Sequence, residues 1–158
     1  MASSGSSSTP KEIKFYHRQK PYYEFSNFAA YPIEVDGEKY ATNEHYFQAA
    51  KFKDVALHEK VRDADGPGKA FKLGRNPGYR AMLREDWESF RMEAMTTAVR
   101  AKFTQHESLR QTLLATGDAI IIEDSPVDYF WGVGADGSGK NKLGLIIMQI
   151  RSELQKEE

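Results

Sequence analysis

Asn43-Glu44-His45-Tyr46-Phe47-Gln48-Ala49-Ala50-Lys51-Phe52 is the stretch on which the fold of this chain turns. It reads as a helix. Thr42 or Asn43 supplies the cap, because a short side-chain oxygen accepts a bond from a free backbone N–H of the first turn. At 100° per residue Glu44, Gln48 and Lys51 share one face, with Phe47 and Phe52 on its borders. Glu44 and Lys51 are about 10 Å apart along such a helix, and the long lysine chain leans back toward the N-terminus. Two readings of the stripe are open. One is the wet face of an amphipathic helix. The other is the polar wall of a pocket in a buried helix, favoured because the remaining positions are apolar nearly all round.

Working outward, Ile33–Tyr40 alternates around Asp36-Gly37. This is a hairpin signal, since both turn positions require positive φ. Upstream of it, Tyr22-Tyr23-Glu24-Phe25-Ser26-Asn27-Phe28 is an aromatic loop. Its rings suit core gaps, and Asn27 among them suits a ligand hydroxyl or base edge. Glu12–Tyr16 alternates as a short strand. Residues 1–10, MASSGSSSTP, have the composition of a flexible Ser-rich tail.

Downstream, Asp54 to Asp65 reads as a second helix broken at Gly66-Pro67-Gly68. A short helix over Lys69–Leu73 is closed by Gly74 as a C-cap. Arg75, just past it, either clamps a phosphate or caps free carbonyls. Asp86 opens a long helix whose Trp87, Phe90, Ala94, Met95, Ala98, Val99 and Phe103 follow helical spacing, and these read as core, Trp87 included. Ser108 caps another helix, stopped by Gly117. Ala119–Glu123 reads as a buried strand, and a last helix runs from about Leu143 to Leu154. The irregular segment Asp124–Asn141 between them is the kind of long loop that usually carries function.

Composition narrows the classes. The chain has 158 residues, 40% hydrophobic and 28% charged, which suits one soluble domain. Its net charge of −1 argues against a protein built chiefly to grip a nucleic-acid backbone. There are no cysteines, so disulfides, thiolate catalysis and Cys-ligated metals are excluded. No apolar run is long enough to span a bilayer, and the start of the chain lacks the apolar segment of a secretory signal. A cytoplasmic or nuclear location is the default.

Two familiar patterns are coincidental. Gly132-Val-Gly134-Ala-Asp-Gly137 matches GxGxxG, but no strand leads directly into it and an Asp-Gly-Ser-Gly loop follows. Gly134 to Lys140 matches GxxxxGK, but Asn141 stands where a P-loop needs Ser or Thr. A looser expectation remains: backbone N–H groups freed by these glycines form an anion nest beside Lys140 and the start of the last helix. The histidines His17, His45, His58 and His106 have no metal-ligand spacing, so no metal site is expected.

Taken together, Phe25-Ser26-Asn27-Phe28, the Glu44–Phe52 segment, Gly74-Arg75, Asp86-Trp87, Asp128-Tyr-Phe-Trp131-Gly132-Val-Gly134 and Asn141-Lys-Leu-Gly144 resemble, in order and spacing, the NADAR family, also called YbiA-like N-glycosidases. The resemblance runs from Lys11 onward. It implies an α+β fold, a mainly helical single domain with a small antiparallel sheet over residues 11–158. It also implies hydrolysis of a bond between ribose C1 and an exocyclic base nitrogen, with no cofactor and no metal. Two substrates are implied: guanine carrying ADP-ribose, as a nucleotide or within DNA or RNA, and a phosphoribosylamino-pyrimidine intermediate of riboflavin synthesis. With no riboflavin-pathway domain beside it in these 158 residues, the first is the expectation. A non-catalytic ADP-ribose-binding module is a third reading, disfavoured by the intact Glu44 and Lys51 pair. No obligatory protein partner and no membrane are expected.

On this resemblance Glu44 and Lys51 are the catalytic pair. Lys51 attacks C1 to form a Schiff base, and Glu44 shuttles protons; direct attack by water with Glu44 as base is the alternative. Asn27 and Asp128 bind ribose hydroxyls and Trp131 stacks on the base. Arg75, Lys140 or the glycine nest holds phosphate, and Phe47, Gln48, Gly132 and Asn141 complete the substrate-binding set. Lys51 must be neutral to attack. Burial between Phe47 and Phe52 would lower its pKa while a charged Glu44 would raise it, and the two pull in opposite directions.

Overall fold

The computed structural model describes residues 12–158. Residues 1–11, which contain the expected Ser-rich tail, lie outside the described residues. The chain divides into two compact units, one of residues 12–26 with 106–158, the other of residues 27–105.

In the first unit, β1 (Glu12–Phe15) alternates outward and inward, burying Ile13 and Phe15. It pairs in parallel with β4 (Ile120–Glu123), Glu12 opposite Ile120 and Phe15 opposite Glu123. The Asp124 N–H donates to the Phe15 carbonyl at 2.9 Å and carries the pairing one step further. The Ala119–Glu123 run was expected to be buried, but only alternate residues are. Ile121 is fully covered while Ile120 is 49% exposed, because a strand covered on one face turns every second side chain outward. Against β4 packs α6 (Lys142–Glu157), whose Leu143, Ile146, Ile147, Ile150 and Leu154 follow helical spacing into the core. Helix α5 (Glu107–Ala115) adds Leu109 and Leu113 to the same core. It starts one residue earlier than Ser108 would dictate, with His106 at the cap position and no side-chain cap bond.

In the second unit, β2 (Ile33–Val35) and β3 (Glu38–Tyr40) form the expected antiparallel hairpin. Asp36 and Gly37 turn it with φ of 52° and 82°. Around α1 (Asn43–Ala49) pack β3, α2 (Val55–Arg62), α3 (Pro67–Gly74) and α4 (Trp87–Gln105), with a 3-10 turn at Pro77–Met82 between α3 and α4. Every residue of α1 is buried. The long α4 presents Trp87, Ala94, Met95, Ala98, Val99 and Phe103 inward, as its spacing predicts. The fold is thus α+β and mainly helical. Its antiparallel hairpin is joined by a parallel strand pair that alternation alone does not reveal.

Candidate functional site

Helix α1 is fixed by polar side chains as much as by packing. Its Thr42 cap accepts the His45 N–H at 3.2 Å. His45, with no exposed surface, spans Thr42 Oγ1 and the Ala64 carbonyl, each at 2.9 Å. A carbonyl only accepts, so Nε2 carries the proton and Nδ1 takes the Thr42 hydroxyl. At the other end His58 Nδ1 lies 2.9 Å from the Ala49 carbonyl and satisfies one of the acceptors left open at a helix C-terminus. These histidines hold the helix in place. They form no metal site, and among the described residues no cluster of His, Asp and Glu suits one.

The stripe is buried, which decides between its two readings. Glu44 is 6% exposed and Gln48 3% exposed. The Gln48 amide Nε2 donates to Glu44 Oε2 at 2.7 Å, a charge-assisted bond that fixes the carboxylate. Gln48 Oε1 is buried without a hydrogen-bond partner. It faces Gly74, where a Cβ would collide with the Gln48 side chain. Gly74 was expected as a C-cap glycine. It is instead the last residue of α3, and its lack of a side chain is needed for close approach to Gln48.

Lys51 departs from the sequence expectation. Helix α1 ends at Ala49, Lys51 lies in the following turn, and Phe52 forms an isolated antiparallel bridge with Leu83. The Lys51 Nζ donates to the Gly74 carbonyl at 3.4 Å and sits 6.0 Å from the Phe47 ring centroid and 5.8 Å from that of Trp87. Phe47 and Trp87 meet edge to face, 5.1 Å between centroids. The aromatic walls of the amine are therefore Phe47 and Trp87, in place of Phe47 and Phe52. Burial draws the Lys51 pKa from its ordinary 10.5 down to about 8, Glu44 opposes this, and Arg75 adds to it. Burial wins.

Lys51 lines a cavity of about 220 Å³ together with Phe52, Gly74, Arg75, Asn76, Tyr79, Arg80, Leu83 and Trp87. Arg75 is exposed, its guanidinium 5.0 Å from the Phe71 ring centroid. Asn27 serves the fold of this unit. Its carbonyl oxygens accept the Glu44 N–H at 3.1 Å and Asn43 Nδ2 at 3.2 Å, and its own amide points at Met95 Sδ, 3.4 Å away. Of the expected set, this unit holds Glu44, Gln48, Lys51, Phe47, Arg75 and Asn27.

Asp128, Trp131, Gly132, Lys140 and Asn141 belong to the first unit. Asp128 Oδ1 accepts the N–H groups of Phe130 and Trp131 at 2.9 and 2.7 Å, a local turn that shapes the loop. Trp131 is half-buried against Phe130, 4.7 Å between centroids. Gly132 packs where a Cβ would press on Glu123 and Asp128. Asn141, at φ 52°, uses both ends of its amide on β4, accepting the Glu123 N–H and donating to the Ile121 carbonyl, each at 2.9 Å. Part of the expected anion nest is already occupied within the loop. The N–H groups of Gly137, Gly139, Lys140, Asn141, Lys142 and Leu143 already donate to loop carbonyls. The Lys140 ammonium is exposed, 5.8 Å from the Phe130 ring centroid.

Sequence reasoning missed Trp87, Gly74, Tyr79 and Arg80 as parts of the site. Trp87 lies at a core position of α4, so periodicity concealed it. The other three carry no local signal, because only packing of α3 and the 3-10 turn brings them to Lys51.

Comparison with known proteins agrees with this architecture. The family model for the NADAR domain matches residues 14–155. The chain is 46% identical over 146 residues to the N-glycosidase YbiA of Shigella boydii, covering 92% of this chain and 90% of that protein. It is 45% identical over 143 residues to a riboflavin biosynthesis protein of Vibrio vulnificus, covering 90% of this chain but 38% of the relative. The NMR structure of Escherichia coli YbiA superposes with a TM-score of 0.85 at 45% identity, covering 94% of this chain and 88% of that one. The chain belongs to the NADAR family.

Proposed function

We propose that this protein is a hydrolase of N-glycosyl compounds, cleaving the bond between ribose C1 and an exocyclic base nitrogen, with guanine-linked ADP-ribose as its substrate. The observation that carries the reading is the Lys51 amine. It is held against Phe47 and Trp87 with its pKa drawn to about 8, in a unit whose buried Glu44 carboxylate is fixed by Gln48. About a tenth of such an amine is neutral at pH 7, far more than at the ordinary pKa of 10.5, and is available as a nucleophile.

The proposed chemistry balances as follows. The Glu44 carboxylate takes the exocyclic N–H proton and delivers it to the ring oxygen as the C1–O bond opens, leaving an imine between C1 and the base nitrogen. Neutral Lys51 adds to C1, a proton passes to the base nitrogen, and the free exocyclic amine departs. Water then adds to the lysine Schiff base, Lys51 is expelled, and the sugar aldehyde recloses. One water is consumed, and free ADP-ribose and guanine are released.

A second reading has its own support. The Vibrio relative and a chloroplastic relative from Zea mays, 36% identical over 155 residues, are riboflavin biosynthesis proteins. They favour a phosphoribosylamino-pyrimidine as substrate. Product analysis by liquid chromatography and mass spectrometry separates the two, each substrate being offered to wild type, Glu44→Gln and Lys51→Ala. Release of ADP-ribose by the wild type and its loss by a factor of about 10² or more in both variants is expected. Cleavage of the pyrimidine alone would select the second reading. No cleavage of either, with binding retained, would make the chain a reader. Borohydride added during turnover should leave a sugar adduct on Lys51 in the intact mass; full activity without any adduct would favour direct attack by water.

A further inference from the structure

Three cations line the Lys51 cavity, Lys51 itself with Arg75 and Arg80, and no carboxylate lines it. Like charges gathered in one concavity repel, and a fold keeps such a cost where an anion is to be captured. Arg84 and Arg62 of this unit are neutralised locally. Arg84, next to the cavity-lining Leu83, holds Asp86 at 2.6 and 3.0 Å. Arg62 holds Asp63 at 2.9 and 3.0 Å. Arg75 and Arg80 make no ion pair and no side-chain hydrogen bond among the described residues, and both are exposed. The Phe71 ring centroid lies 5.0 Å from the Arg75 guanidinium carbon and gives the side chain an apolar support. The Arg75 N–H donors are not spent on a protein acceptor among the described residues, so they are available to grip a phosphate with two bonds.

We infer that Arg75 and Arg80 form an anion subsite at the Lys51 cavity that takes a phosphate group. Its link to substrate rests on the glycosidase reading above, but its occupancy is measured without turnover. Two sources share this chemistry, a single phosphomonoester and a diphosphate bridge.

Inorganic phosphate and pyrophosphate would be titrated separately into wild type, Arg75→Gln and Arg80→Gln while backbone amide shifts are followed. Both side chains are exposed and make no ion pair or side-chain hydrogen bond among the described residues, so the variants should keep a melting temperature close to that of the wild type. Shifts should centre on residues 74–83, and each variant should weaken binding about tenfold. Pyrophosphate binding about tenfold tighter than phosphate would support the subsite and assign it to a diphosphate. Equal affinities, still lost in the variants, would support it and assign it to a monoester. Absence of shifts at residues 74–83 up to about 20 mM, or binding untouched by both variants, would overturn it. Failure here with product still formed by the wild type would leave the glycosidase reading standing. Binding as expected with no product from either substrate would do the reverse.

Discussion

Lys51 shows at a single residue how function and stability oppose each other. Its folded pKa of about 8 lies below the ordinary 10.5. Below about pH 8 both states carry the charge, and the full cost of burying an ammonium weighs against folding. Between about 8 and 10.5 the folded amine is neutral while the unfolded one still holds its proton, so stability rises with pH across that window. Replacing the amine with an apolar chain of similar shape removes the cost. Lys51→Met should therefore stabilise the fold at pH 7 by about 1–3 kcal/mol, trimmed by partial exposure, and by much less at pH 10. Denaturant midpoints at the two pH values measure this, and equal gains at both would refute the burial argument. The same pKa sets the rate profile. If the neutral amine is the nucleophile, kcat/KM should climb with pH and level off above about 8. A profile flat from pH 6 to 9 would remove Lys51 from the chemistry.

Among the elements, α3 offers a matched pair of glycines. Gly68, near its start, has open space around a would-be Cβ, whereas Gly74, at its end, has the Gln48 side chain there. Gly68→Ala should cost nothing and add a few tenths of a kcal/mol through helix propensity, with activity unchanged. Gly74→Ala must displace Gln48, which loosens the bond to Glu44 and shifts the carbonyl that Lys51 reaches. About 1–3 kcal/mol of stability and about tenfold or more in kcat should be lost together. Thermal melts and rates on the two variants test this, and a fully active Gly74→Ala would show that Gln48 does not position the carboxylate. Helix α1 itself was legible because its caps and its apolar surround are local facts of Thr42 through Ala50. The place of Lys51 was not, since its direction is set by the turn after Ala49 and by pairing of Phe52 with Leu83. Asn141 misled for the same reason: a polar residue in a glycine-rich loop looks like a ligand, and only the fold shows its amide spent on β4.

For the molecule as a whole, sequence patterns carried the fold further than the site. Alternation around Asp36-Gly37 and the periodicity of α4 and α6 marked their elements, while the parallel pairing of β1 with β4 joins segments about a hundred residues apart and leaves no local trace. Net charge was equally local in its meaning. A total of −1 offers no long-range attraction for a phosphate-bearing substrate, so any capture of anions must come from local cations, as the proposed Lys51, Arg75 and Arg80 subsite would supply. Such contacts at a solvent-accessible cavity are screened by salt. Raising ionic strength from about 0.05 to about 0.5 M should increase KM for a phosphate-bearing substrate about three- to tenfold. The Arg75→Gln/Arg80→Gln double variant should start from a higher KM and respond much less to salt. Parallel salt dependences in wild type and double variant would mean that the anion is held elsewhere in the chain.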